Sequence, residues 1–181
     1  LATGAVFTIE RSDAPFEDPA TNRILQRGTQ EHNGAELTVA GLVTEQITLS
    51  GSATYLDAEF TEDDNPYLIG NTPFGVPEFS LSLTAEYEFA PASSLAGLSL
   101  QGGVFYESDR PVDDANSYDL DAYTRIDLGV KYVLSRFTGA DVIFRLNALN
   151  LTDEEYFKAR SPFAVNPEPP REIRGAVEVL F

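Results

Sequence analysis

The sequence holds a single histidine, His32, and no cysteine. Thiol nucleophiles, disulfides and Cys/His metal centres are therefore excluded. One imidazole with no placed serine or carboxylate partner supplies neither a nucleophile–base pair nor a transition-metal site, and His32 reads as an exposed residue at a loop end. Carboxylates are dense in places: Asp13, Glu17 and Asp18; Glu62, Asp63 and Asp64; Asp109, Asp113 and Asp114; Asp153, Glu154 and Glu155. Such oxygen-rich runs suit a hard cation, but the loop spacing of an EF-hand is missing, so they read as solvated loop charges. No G-x-S-x-G elbow occurs, and the carboxylate pairs fall in loops rather than on facing strands. Neither an enzyme nor a resident cofactor is expected.

The elements that carry these residues follow from the charge and apolar patterns. With 29 acidic against 12 basic residues and a net charge of −17, the chain lacks the clustered Lys and Arg that phosphate binding needs, so nucleic acid is not expected as a partner. No run of apolar residues is long enough for a spanning helix. The dominant signal is alternation with period two. Ile126, Leu128, Val130, Tyr132 and Leu134 oppose Arg125, Asp127, Gly129 and Lys131; Val142, Phe144, Leu146 and Ala148 oppose Asp141, Arg145 and Asn147. Phe79, Leu81, Leu83, Ala85, Tyr87 and Phe89 do the same against Ser80, Ser82, Thr84, Glu86 and Glu88. Side chains two apart share a strand face, so each segment has one apolar and one polar face.

Eight strands are expected, near 3–11, 26–41, 47–61, 77–89, 97–108, 122–134, 140–152 and 171–181. Their connections alternate between short turns and long acidic loops, the arrangement of an antiparallel up-and-down transmembrane barrel. A soluble sandwich could also bury an alternating face. Three features favour the membrane: strands longer than the usual five or so residues; aromatics at both strand ends, with Phe89, Tyr132 and Phe181 at the short-turn side and Tyr55, Phe60, Phe79, Tyr106 and Tyr123 at the long-loop side; and a last strand that stops on Phe181 with no polar tail.

Several stretches carry a family resemblance. Asn33-Gly34-Ala35-Glu36-Leu37 resembles a "G-x-E-L" strand opening, and Ala53-Thr54-Tyr55-Leu56-Asp57-Ala58-Glu59-Phe60 a "Y-T-Y-L-D-A" strand. Gly70-Asn71-Thr72-Pro73-Phe74-Gly75-Val76-Pro77 is similar to "G-N-x-P-x-x-x-P", and Asp114-Ala115-Asn116 with Ala122-Tyr123-Thr124-Arg125-Ile126-Asp127 to "D-x-N … P-G-Y-T-x-x-D", with Asp121-Ala122 in place of Pro-Gly. The most specific stretch is Leu146-Asn147-Ala148-Leu149-Asn150-Leu151-Thr152-Asp153-Glu154-Glu155-Tyr156-Phe157, close to "L-N-V-x-N-L-F-D-x-x-Y". Together these resemble the carboxy-terminal part of a TonB-dependent siderophore receptor of the bacterial outer membrane.

That resemblance implies the last eight strands of a barrel of about 22, filled by a plug. Residues 1–181 would all be barrel wall, and a start at Leu1 without a signal pattern reads as a piece of a longer protein whose plug and TonB-contacting segment lie elsewhere. It further implies a ferric siderophore as substrate, iron chelate being cargo rather than cofactor, with the plug, the TonB complex and outer-membrane lipid as partners. A passive porin, or a small structural barrel complete in itself, is the alternative. Strand parity puts Glu86, Glu88, Glu107, Arg125, Asp127, Lys131, Asp141, Arg145, Arg174 and Glu178 toward the lumen and plug. Loop position makes Tyr67, Arg110, Tyr118 and Phe163 the candidate ligand contacts, because aromatics and Arg offer contact area and charge to a chelate.

Overall fold

The computed structural model describes residues 1–12, 15–18, 23–26, 28–137, 140–161 and 164–181. In chain order the strands are β1 (Ala2–Ser12), β2 (Pro15–Asp18), β3 (Arg23–Gln26), β4 (Thr29–Leu42), β5 (Ile47–Glu62), β6 (Phe79–Glu88) and β7 (Leu98–Glu107). There follow β8 (Arg110–Pro111), β9 (Asp119–Leu120), β10 (Tyr123–Phe137), β11 (Ala140–Leu149), β12 (Phe157–Ser161), β13 (Ala164–Pro167) and β14 (Glu172–Leu180). No helix occurs among the described residues.

Eight strands form one sheet in the order β1-β4-β5-β6-β7-β10-β11-β14, with every neighbour antiparallel. Each long strand therefore pairs with the next long strand along the chain, the meander that short turns and local loops permit. The remaining strands form two-stranded ribbons, β2-β3, β8-β9 and β12-β13, inside three of the four long connections. The expected loops are thus partly regular. Pro and Asp hide these ribbons from a period-two reading because each has only two to five residues per strand.

Register makes the two faces explicit. Tyr132 lies opposite Leu98 and Phe144, which in turn faces Val177; Val130 lies opposite Leu100 and Leu146; Leu128 opposite Gly102 and Ala148. Further along, Ile126 meets Val104, Val104 meets Leu83, and Tyr55 meets Phe79. None of these side chains is buried and most are exposed, Leu146 and Val177 at 54% and 64%, so no second protein layer covers them. The apolar band on β5 runs from Ile47 to Tyr55 and that on β6 from Phe79 to Tyr87. About nine residues per strand is the length that crosses the hydrocarbon core of an outer membrane when tilted.

Tyr87 and Phe89 pack edge to face at 4.9 Å on the short-turn side, and Phe79 and Tyr106 lie 6.0 Å apart on the long-loop side. Two expected girdle members are misassigned, however. Phe60 and Tyr123 are 5% and 6% exposed, because both fall on the opposite parity and turn to the polar face, where the loops cover them. His32 also departs from expectation. It is a half-buried strand residue of β4, paired with Ala58, and its Nε2 lies 3.3 Å from Gln30 Oε1.

Most of the burial lies at one end, with Ser99 near the short turns (3% exposed) as an exception. Ala58, Phe60, Leu68, Arg110, Tyr123, Asn150 and Tyr156 are all under 9% exposed, and all sit where the long connections fold back over the polar face. The loop after β5 returns alongside it: Gly70 N–H donates to Phe60 O at 2.8 Å and Phe60 N–H to Asn71 O at 3.0 Å.

Candidate functional site

The polar face is a wall of paired charges. All ten residues expected there share it: Glu86 and Glu88 on β6, Glu107 on β7, Arg125, Asp127 and Lys131 on β10, Asp141 and Arg145 on β11, Arg174 and Glu178 on β14. Its cations find acids on the same sheet. Lys131 Nζ meets Glu86 Oε1 at 2.8 Å, Arg145 Nη1 meets Glu178 Oε2 at 2.6 Å, Arg125 Nη2 meets Asp127 Oδ2 at 3.1 Å, and Arg174 Nη2 meets Glu172 Oε2 at 2.6 Å. Pairs this open to solvent contribute at most about 1 kcal/mol each. Their effect is to offset each cation with an acid along a wet wall that stays net negative. The wall is not wholly polar, since Phe7, Leu56, Phe105 and Ile143 share it by register. Arg125 lies over the Phe105 ring at 4.2 Å, and its Nε has no hydrogen-bond partner.

Toward the mouth this wall continues into an aromatic and cationic knot. Tyr123 at the start of β10 stacks on Tyr156 with centroids 4.0 Å apart and planes 15° from parallel. Arg110 lies over the Tyr123 ring at 5.2 Å and Lys158 at 5.6 Å. Lys158 Nζ donates to Glu107 Oε1 at 3.1 Å. The connection between β11 and β14 is thereby folded inward over the wall.

The residues expected to meet a ligand separate into different roles. Tyr67 and Tyr118 are 87% and 76% exposed on neighbouring loops, free to offer their rings outward. Arg110 is 2% exposed, and its donors go to protein oxygens: Nη1 to Ser108 O at 3.3 Å and Nη2 to Phe157 O at 2.5 Å. It is a structural guanidinium, tied to its own connection and to the one between β11 and β14. Phe163 lies outside the described residues.

The motif residues turn out to build the rim. Asn116, at φ 53°, exchanges two bonds with Thr72: Thr72 N–H donates to Asn116 Oδ1 at 2.9 Å and Asn116 Nδ2 to Thr72 O at 2.7 Å. Phe74 N–H donates to Asp114 Oδ1 and Asn71 Nδ2 to Asp114 O, both at 3.0 Å. The "G-N-x-P" and "D-x-N" stretches are thus two halves of one clamp. Burial raises the Asp114 carboxyl above its ordinary value; the Phe74 N–H opposes this, while the charges of Asp113 and Asp63 add to it.

Asn150 closes the other motif. It is 2% exposed at φ 50°. Its N–H donates to Asp127 Oδ1 at 2.9 Å, its Nδ2 to Glu154 O at 2.9 Å, and its Oδ1 accepts Glu154 N–H at 2.9 Å. Asparagine fits because it tolerates the left-handed region and satisfies local backbone groups. Nothing in the spacing alone announced these partners, but an Asn recurring at strand ends was the available signal. Among the described residues no group of three or more His, Asp or Glu is placed to hold a metal ion.

Comparison with known proteins fits this geometry. The family model "TonB dependent receptor-like, beta-barrel" matches residues 1–151. The chain is 34% identical over 159 residues, 86% of its length, to the ferrichrome outer membrane transporter/phage receptor of Escherichia coli, of which it covers 21%. It is 32% identical over 181 residues to the ferrichrome receptor FcuA of Yersinia enterocolitica, 99% of this chain and 23% of that protein. Among solved structures, BauA, the ferric preacinetobactin receptor of Acinetobacter baumannii, superposes with a TM-score of 0.84 at 25% identity, covering 97% of this chain and 26% of BauA. The chain thus spans under a quarter of those two curated relatives. An eight-stranded up-and-down sheet, apolar on one face and charged on the other, and a family match over most of its length lead to one assignment: the chain belongs to the TonB-dependent receptor β-barrel family.

Proposed function

We propose that the chain is the carboxy-terminal wall of a receptor that carries a ferric siderophore across the outer membrane, energised by TonB. Barrels of this family sit in the bacterial outer membrane, and this chain does too. The carrying observation is the separation of faces. An apolar band about as tall as the hydrocarbon core faces one way across the sheet, and the wall of ten charged residues faces the other. In this reading the charged wall lines the lumen and meets the plug, which the rest of the receptor supplies together with the TonB-contacting segment. The names of the relatives, ferrichrome and ferric preacinetobactin receptors among them, support an iron chelate as cargo. Tyr67 and Tyr118 are the ligand contacts this reading favours, since both are exposed at the mouth.

The test is uptake of radioactive iron as ferrichrome or ferrioxamine B by cells whose only siderophore receptor is the full-length protein. Uptake that needs both the receptor and TonB is the expected result. Iron entry that persists undiminished without TonB points to a passive porin instead.

A further inference from the structure

Arg110 is the most enclosed charged side chain described, and enclosure of a guanidinium is costly unless its donors are used. Its fork reaches Ser108 O within its own connection and Phe157 O on β12, in a different one. Nε lies 3.6 Å from Glu107 Oε2, and the plane overhangs Tyr123 of β10. The residues after it extend the tie. Pro111 O accepts Gly75 N–H at 2.7 Å, and Asp114 and Asn116 hold Phe74 and Thr72. A Cβ on Gly75 would lie 3.5 Å from Ala159 Cβ, so the loop after β5 also abuts β12 directly.

We propose that Arg110 is a positioning residue that ties the β7 to β10 and β11 to β14 connections directly and, through Pro111 and the residues after it, holds the β5 to β6 connection with them as one body at the mouth. Tyr67, Tyr118 and Lys158 then hold fixed mutual positions before any ligand arrives. Contacts ordered in advance spare a ligand the entropy of ordering them. The consequence for affinity rests on the receptor reading above; the locking does not.

Hydrogen–deuterium exchange on the full-length receptor in detergent micelles reads the locking directly. Arg110→Met should raise exchange at least about tenfold at both 71–76 and 157–161, leaving the paired strands β5, β6, β7, β10 and β11 unchanged. Arg110→Lys keeps the charge but cannot reach both carbonyls with a planar fork, so both segments should still open. Asn116→Gly keeps the positive φ while removing the Thr72 bonds, and should open 71–76 alone. If Arg110→Met opens 157–161 but leaves 71–76 protected, or if Arg110→Lys restores full protection, the lock does not exist. Should Arg110→Met fail to assemble, Arg110→Lys carries the same decision. Ferrichrome binding adds the functional arm: about tenfold weaker affinity in Arg110→Lys is expected, and wild-type affinity overturns the positioning role. A wild-type receptor that ignores ferrichrome bears on the substrate alone, and the exchange result stands.

Discussion

Asn150 concentrates more consequence than its polarity suggests. Its side chain bonds two backbone groups of Glu154, its N–H meets Asp127, and its φ of 50° suits few residues. Asn150→Ala leaves buried Glu154 groups unpaired and strains the backbone, at a cost of roughly 2 to 4 kcal/mol. Asn150→Gly removes the bonds without the strain and should lose less. Thermal unfolding of the full-length receptor in detergent orders the three proteins. Asp114 offers a pH-dependent counterpart. Its carboxyl titrates above the ordinary value because of burial, then the neighbouring charges of Asp113 and Asp63. A raised carboxyl favours the folded state below the unfolded pKa, and that contribution is lost as pH rises through the folded value. Asp114→Asn keeps an acceptor for Phe74 N–H and drops the charge. The rim of that variant should therefore resist proteolysis better than wild type at pH 7, with the difference shrinking toward pH 4; a constant difference across that range contradicts the assignment.

At the scale of the strand, face is everything, because parity decides whether a side chain meets lipid or water. Leu128, in the middle of the apolar band, pairs with Gly102 and Ala148, whereas Asn147 on the opposite face pairs with Gly129 and Arg174. Leu128→Arg should destabilise the assembled barrel by roughly 2 to 4 kcal/mol, and Asn147→Arg by far less. Equilibrium unfolding in lipid vesicles compares them, and equal losses would mean that the apolar face is not in hydrocarbon. Parity was also the legible part of the sequence. Alternation such as that at Ile126–Leu134 and Val142–Ala148 marked the long strands and which side chains share a face, the ten charged residues included, without any long-range information. Phe60 and Tyr123 share the strand-end position of girdle aromatics, but their parity turns them to the polar face. Arg110, Asn116 and Asn150 were opaque for a different reason: their partners lie 47, 44 and up to 23 residues away, and only the folded loops bring them together.

The whole sheet has an architectural requirement that no single strand reveals. β1 and β14 each pair on one side only among the described residues, leaving a row of backbone donors and acceptors on each outer edge. In the assembled receptor the neighbouring strands of the barrel would complete those edges, since hydrocarbon tolerates no unpaired backbone. Closing the eight strands on themselves would demand a tighter curvature than a slice of a larger barrel needs. The exposed band, with Leu128, Leu146, Ile173 and Val177 all about half or more exposed, adds an apolar face that water does not accept as a contiguous surface. Expressed alone, residues 1–181 should therefore aggregate without detergent and, in detergent, associate edge to edge into oligomers rather than run as a monomer. Size-exclusion chromatography with light scattering decides the matter. A monodisperse monomer in plain buffer would require some other protein layer over Leu146 and Val177, and a chain with such a layer could not be barrel wall.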